Sequence, residues 1–292
     1  MTDLTDYGRV TELLGRHGFR FSKSLGQNFL TAAWVPERIA DEAELTLADG
    51  VLEIGPGVGC LTAELARRAG AVCALELDRR LEGVLKETLG DFDNVTVVFT
   101  DAVKADLKQL CARHLGERPW KVCANLPYNV TSPLVTALLK AQCFETLTVM
   151  VQREVAERMC AGPGTGEYGA FSLLVQWYAR PRILFEVPPG CFTPRPKVTS
   201  AVVRLEMRQA PPAPVTDRDF FFAVVRAAFN QRRKTLPNAV SAGVAPVDRR
   251  MAEEALEKLG LPLTVRGEAL SLEQFAALSE FLWQMGKEDR NG

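Results

Sequence analysis

The chain has 292 residues, 47% hydrophobic and 24% charged, the balance of a globular protein with enough apolar residues for one large or two ordinary domains. Its formal net charge of −1 excludes a global attraction for nucleic acid, so any such role must rest on local patches. Seven dispersed cysteines (Cys60, Cys73, Cys111, Cys123, Cys143, Cys160, Cys191) are odd in number and never form Cys-x-x-Cys, which argues against a disulfide framework and a zinc knuckle. They read as small buried hydrophobes in a reducing compartment. The start, Met1-Thr2-Asp3-Leu4-Thr5-Asp6, lacks an apolar signal core, and no stretch approaches bilayer-spanning length, so a cytoplasmic protein without membrane contact is expected.

In chain order, Lys23-Ser24-Leu25-Gly26-Gln27-Asn28-Phe29-Leu30 reads by composition only as a polar loop, followed by a helix over Val35–Ala43. From Gly50 strands and helices alternate: strands at Val51–Ile54, Val72–Leu77, Val95–Phe99, Trp120–Ala124 and Leu147–Val151, with helices at Leu61–Ala69, Arg79–Leu89 and Pro133–Ala141. The last of these helices should be capped by Ser132. Alternation of this kind predicts an α/β fold, a Rossmann-like parallel sheet covered on both faces. A helix over Gln152–Met159 stops at Gly162-Pro163-Gly164; a helix over Phe171–Tyr178 and strands at Arg182–Val187 and Ser200–Met207 follow.

Gln209-Ala210-Pro211-Pro212-Ala213-Pro214 is the clearest linker, because its prolines can neither continue a helix nor donate to a sheet. The expected division is therefore a ligand-binding domain over 1–208 and a small all-helical domain over 209–292. Helices are predicted over Asp217–Asn230 and Pro246–Leu259, and a last one opens with the capping box Ser271-x-x-Gln274 and ends at Gly286.

The chemistry concentrates at the strand ends. Gly55, Gly57 and Gly59, after the first apolar strand, allow positive φ and close approach of a ligand to the backbone. Their spacing is not the Gly-x-Gly-x-x-Gly of a dinucleotide site, which argues against a NAD-dependent oxidoreductase. Glu76, at the end of the second run, can accept from both hydroxyls of a ribose. Asp101, after the third, can accept from an adenine amine, against the competing reading of a helix cap. Asn125-Leu126-Pro127-Tyr128 follows the fourth. If the Asn125 side-chain oxygen and the Leu126 carbonyl both accept from an exocyclic aromatic amine, its lone pair is drawn out of conjugation toward an electrophilic methyl; Pro127 holds the geometry and Tyr128 stacks on the base. The competing reading is a capped turn with a buried tyrosine. His17 and His114 have no metal-ligand company, no catalytic triad stands out, and no metal is expected. Phe192, Arg195 and Lys197 in a proline-stiffened loop, and Arg232, Arg233 and Lys234 after the first appended helix, suit a nucleic-acid surface, against the reading of a solvated face.

Five segments in order, Lys23–Leu30, Glu53–Gly59, Asn125-Leu126-Pro127-Tyr128-Asn129, Val187–Val198 and Arg232-Arg233-Lys234-Thr235-Leu236, together resemble the KsgA-type ribosomal RNA adenine dimethyltransferases. The resemblance implies a class I methyltransferase fold with a helical C-terminal RNA-binding domain and S-adenosylmethionine as methyl donor. It also implies dimethylation of two adjacent adenines near the 3′ end of 16S ribosomal RNA in the small subunit or its precursor; a monomer is expected. It adds Asn28 and Leu30 to Gly55, Gly57, Gly59, Glu76, Asp101 and Asn125 as cofactor-holding residues, makes Asn125, Leu126, Pro127 and Tyr128 catalytic, and has Phe192 stack on the flipped adenine opposite Tyr128. Gly190-Cys191 before Phe192 departs from the family pattern. The alternatives are the sister family that methylates large-subunit ribosomal RNA in macrolide resistance, which Gly55-Pro56-Gly57 and Leu126 disfavour, and a non-catalytic assembly factor on the same fold.

Overall fold

The computed structural model describes residues 4–19 and 27–291; Lys23-Ser24-Leu25-Gly26 of the N-terminal motif lie outside the described residues. The chain divides into two compact units, Met1–Ala156 with Arg180–Met207, and Glu157–Ala179 with Arg208–Gly292.

The first unit runs α1 (Tyr7–Arg16), β1 (Phe29–Leu30), α2 (Trp34–Glu42), β2 (Gly50–Ile54), α3 (Cys60–Ala66), β3 (Ala71–Glu76), α4 (Glu82–Leu89), β4 (Val95–Phe99), α5 (Leu107–Leu115), β5 (Trp120–Asn125), α6 (Thr131–Ala141) and β6 (Thr146–Gln152). After α7 (Arg153–Cys160) and α8 (Ala170–Tyr178) come β7 (Ala179–Val187), β8 (Phe192–Thr193) and β9 (Ser200–Met207). Seven strands form one sheet in the order β4-β3-β2-β5-β6-β9-β7. The pairs from β4 to β6 are parallel and β6–β9 is antiparallel. β2 is buried along its whole length, as a central parallel strand covered on both faces must be, which is why its sequence shows no alternation. The chain moves outward from β2 to β3 and β4 on one side, then crosses back to β5 and β6 on the other. The β2/β5 boundary is therefore the point where a crevice opens beyond the strand ends.

Two short elements escape a periodicity reading. β1 and β8 form a separate two-stranded antiparallel ribbon, Leu30 opposite Phe192, extended by the Thr31 amide donating to the Cys191 carbonyl at 2.8 Å. The ribbon joins two of the sequence motifs. α5 opens on Asp106, whose side chain accepts from the Gln109 amide at 2.9 Å, and buries Leu107, Cys111 and Leu115. α6 begins at Thr131 with Val130 as its cap, two residues ahead of the predicted Ser132.

The second unit adds α9 (Arg218–Asn230), α10 (Leu236–Gly243), α11 (Arg249–Lys258) and α12 (Leu272–Asn291) to α8. α9 is capped by Asp217, whose side chain accepts from the Phe220 amide at 2.9 Å, and packs against α8, α10 and α12. Its stripe meets aromatic partners: Trp177 lies 4.5 Å from Phe221, and Tyr168 meets Phe229 edge-on at 5.8 Å. The predicted 208/209 boundary thus falls beside the last crossing between units, but Glu157–Ala179 groups with the second unit, not with 1–208 as the linker reading placed it. The physical reason is α8: Leu173, Val175 and Trp177 are buried, and Trp177 meets Phe222 edge-on while Tyr178 stacks on it. The final helix also runs past Gly286 to Asn291.

Among the described residues no helix is long and apolar enough to cross a membrane, and no cluster of three or more His, Cys, Asp or Glu side chains could hold a metal.

Candidate functional site

A cavity of about 530 Å³ lies beyond the carboxyl ends of β2 to β5, lined by Gly55, Gly57, Glu76, Asp101, Asn125, Leu126, Pro127 and Tyr128 together with Asn28 and Leu30 of the N-terminal segment. Its volume sits within the roughly 300–1,000 Å³ of small-molecule sites. The residues placed at four strand ends by the sequence thus converge on one cavity.

Gly55, Gly57 and Gly59 have φ of 71°, 61° and 90°, the left-handed region that side chains resist. A Cβ on Gly57 would stand 3.1 Å from the Phe29 ring, so this glycine also lets the ribbon residue close over the turn. Gly59 differs from the other two. It does not line the cavity; it caps α3, and a Cβ there would meet the Leu89 side chain at 2.9 Å. Its requirement is close packing of α3 on α4, not contact with a ligand.

Glu76 is buried at the wall. Its Oε1 accepts from the Leu77 and Asp78 amides, both at 2.8 Å. Burial pushes its carboxyl above the usual carboxylate value, with those amides and that of Gly57 acting against the rise. The carboxylate is thereby oriented by the backbone, leaving acceptor capacity for ligand hydroxyls. Asp78, in turn, accepts from Gln27 Nε2 at 3.0 Å and Arg80 Nε at 2.8 Å, which ties the segment before Asn28 to the end of β3. The Arg80 guanidinium, burial and Gln27 set the balance that holds the Asp78 carboxyl below its ordinary value.

Asp101 Oδ1 accepts from the Val103 amide at 3.0 Å and its Oδ2 lies 3.6 Å from Lys104 Nζ. The bond closes a turn and caps no helix, since α5 opens later on Asp106, and Asp101 lines the cavity. Asn125 Nδ2 donates to the Asn28 carbonyl at 3.3 Å, so the donor end of the amide is engaged and Oδ1 is the end left for a ligand. The Leu126 amide donates to the Met150 carbonyl at 3.0 Å, and Pro127 has φ −59°. Thr131 Oγ1 donates to the Pro127 carbonyl at 3.0 Å. Tyr128 is half-buried, its phenol 2.5 Å from Ser200 Oγ, and burial raises its pKa.

Glu53 lines this cavity too, and no role was assigned to it from sequence. Its side chain is fully buried and its Oε2 has no hydrogen-bond partner. Burial, with Glu76 adding to it against a nearby Thr62 hydroxyl, pushes its pKa up to about 8. A carboxylate inside the apolar run Val51-Leu52-Glu53-Ile54 was the available signal, since charges are almost never fully buried without a reason.

Two expectations do not match the structure. Phe192 is only 4% exposed and belongs to the core cluster with Leu30, Val35, Ile39 and Val187; β8 turns its ring inward, and it does not line the cavity. Gly59 serves packing, as above. Arg195, Lys197, Arg232, Arg233 and Lys234 are exposed; Arg232 also donates to the Gly166 and Tyr168 carbonyls at 3.1 and 3.3 Å and faces Glu268 at 3.8 Å.

The family model described as "Ribosomal RNA adenine dimethylase" matches residues 18–282. The chain belongs to the ribosomal RNA adenine dimethylase family. It is an enzyme of the methyltransferase class. Similar curated members include "Ribosomal RNA small subunit methyltransferase A" of Lachnoclostridium phytofermentans, 46% identical over 97% of this chain and 98% of that one, and its namesake in Listeria monocytogenes, 44% identical over 98% and 99%. Among solved structures, a dimethyladenosine transferase from Plasmodium falciparum is 27% identical over 89% of this chain and 98% of its own, with a TM-score of 0.73. The 23S rRNA methyltransferase ErmE is 30% identical over 88% and 100%, with a TM-score of 0.66. The fold is that of the class I S-adenosylmethionine-dependent methyltransferases, as the resemblance implied.

Proposed function

We propose that this member of the ribosomal RNA adenine dimethylase family dimethylates the exocyclic amines of two adjacent adenines near the 3′ end of 16S ribosomal RNA, acting in the cytoplasm on the small subunit or its precursor. The observation that carries the reading is Asn125: its amide is anchored through Nδ2 to the Asn28 carbonyl, which presents Oδ1 at the wall shared with Glu76 and the glycine turn.

The cavity fits a nucleoside-containing methyl donor. Gly55 and Gly57 admit close backbone approach, Glu76 offers an oriented carboxylate for ribose hydroxyls, and Asp101, Asn28, Leu30 and Asn125 complete the wall. Bound there, S-adenosylmethionine supplies an electrophilic methyl group on a sulfonium. The chain's own part is to polarise and position. Asn125 Oδ1 and the Leu126 carbonyl accept from the adenine amine and draw its lone pair out of the ring. Pro127 and Thr131 stiffen that turn, and the Tyr128 ring gives the base a stacking surface worth about 1–3 kcal/mol. Arg195, Lys197, Arg233 and Lys234 offer exposed cations for RNA phosphates. The identity of 43–46% to small-subunit enzymes over nearly the whole chain favours this substrate over large-subunit RNA.

The test is transfer of labelled methyl to unmethylated small subunits, with protein-free large-subunit RNA in parallel and mapping of the modified bases. Label on adjacent small-subunit adenines is expected. Label confined to large-subunit RNA selects the resistance-type activity, and cofactor binding without label on either selects an assembly factor.

A further inference from the structure

Tyr128 and Ser200 stand 72 residues apart in the chain, yet the phenol oxygen and Ser200 Oγ lie 2.5 Å from each other. Ser200 is the first residue of β9, fully buried, and paired with Gln152 of β6. The three residues after it, Ala201, Val202 and Val203, are apolar and fully buried, so packing alone would be met by an alanine at 200. The Tyr128 main chain is held separately: Thr131 Oγ1 reaches the Pro127 and Tyr128 carbonyls at 3.0 and 3.4 Å. Local bonds thus fix where the residue sits, and a hydroxyl on a sheet strand fixes where its ring points.

We propose that Ser200 is a positioning residue for methyl transfer, its hydroxyl holding the Tyr128 ring in the plane against which the substrate adenine stacks. This rests on the reading of Tyr128 as the base platform. A half-buried ring free to swing about its two side-chain torsions presents its face only part of the time. Stacking aligns the amine only while the face is presented, and a misplacement of about 1 Å at a reacting group can cost about 10²-fold in rate. An anchor on β9 is better than one on a loop, because β9 is laddered to β6 through seven residue pairs, from Thr146–Glu206 to Gln152–Ser200. The same strand end leads back within a few residues to Lys197 and Arg195, so the platform is anchored at the foot of an exposed basic loop.

The experiment is single-turnover methyl transfer to unmethylated small subunits at saturating cofactor, for the intact enzyme and for Ser200→Ala, Tyr128→Phe and the double variant, with cofactor affinity and thermal stability of each. Loss of one tethering hydrogen bond is expected to slow transfer about tenfold in Ser200→Ala. Tyr128→Phe keeps the ring, loses the same bond and should be slowed equally, and the double variant should be no slower than either single one. Cofactor affinity should stay within about twofold of the intact enzyme. An intact rate in Ser200→Ala, or losses that multiply in the double variant, would overturn the assignment. So would a parallel fall in cofactor affinity and stability, which marks a merely structural serine. Absence of transfer by the intact enzyme would instead remove the functional reading itself, an outcome distinct from all of these.

Discussion

At the amino ends of the strands, Asp49 accepts from the Thr46 amide at 2.7 Å, the Thr46 hydroxyl at 3.0 Å and Lys121 Nζ at 3.1 Å. At the carboxyl ends of the same sheet, Glu53 keeps an oxygen with no partner and Glu76 is oriented by backbone amides alone. All three carboxylates are buried. Burial pushes each upward, but for Asp49 the Thr46 amide and Lys121 reverse the sign, whereas Glu53 and Glu76 stay raised. Burial therefore has opposite meanings at the two ends. A carboxylate held by a cation and two further donors is part of the scaffold, and one left unmet against a cavity is available for a ligand, at a cost to stability that the scaffold end does not carry.

The sharpest way to break this contrast is Asn125→Ala. It should lower single-turnover methyl transfer by roughly 10³-fold, the scale of losing a preorganised polar group at a reacting centre, with cofactor affinity by calorimetry changed by less than about threefold. A matching loss of cofactor affinity would move Asn125 from chemistry to binding.

Next in size is Phe192→Ala. Deleting a ring from the core is expected to cost about 3 kcal/mol in urea unfolding. Native stability combined with weakened RNA binding would return Phe192 to the RNA-facing surface.

Lys121→Met probes the scaffold end. Stripping a buried carboxylate of its cation should cost about 2 kcal/mol, since the Thr46 bonds remain, while methyl transfer is unchanged. Because the Asp49 carboxyl is held below its ordinary 3.8, its stabilisation is present above that pH and lost as pH falls through the folded value; the variant should flatten this acid limb. Reduced turnover at full stability would contradict the division of roles.

The smallest effect is expected from Glu53→Gln. Glu53 holds its proton to about pH 8 when folded, against an ordinary 4.5. Its contribution is therefore most favourable below pH 4.5 and is lost as pH rises toward 8. A buried amide itself costs about 1–3 kcal/mol at either pH, so the variant should be less stable than the intact protein near pH 5 and recover to match or exceed it near pH 8, in denaturant titrations at the two pH values. An unaltered slope of stability against pH would show that Glu53 is not the group responsible.

Most of the site was legible because its signals are local. The glycine turn, Glu76 at a strand end and the Asn125–Tyr128 segment each declare themselves within a few residues, and alternation of strands and helices placed them beyond the carboxyl ends of one sheet. What local pattern could not carry was the direction of loop side chains. Phe192 sits among proline, glycine and cations in sequence, as an RNA-facing aromatic would, yet pairing of β8 with β1 turns it into the core. Arg232, in an exposed basic run, also reaches the Gly166 and Tyr168 carbonyls, 66 and 64 residues away in the chain.

The sequence by itself determined the α/β class and the glycine turn, since these rest on periodicity and on backbone needs that only glycine or proline meets, and five motifs in order carried the resemblance to the family. The tertiary structure decided which of the three glycines faces the cavity, that Glu157–Ala179 joins the helical unit, that Glu53 is left unpartnered, and that Ser200 reaches Tyr128. Each of these depends on contacts between segments far apart in the chain, and such contacts leave no periodic trace in the residues that make them.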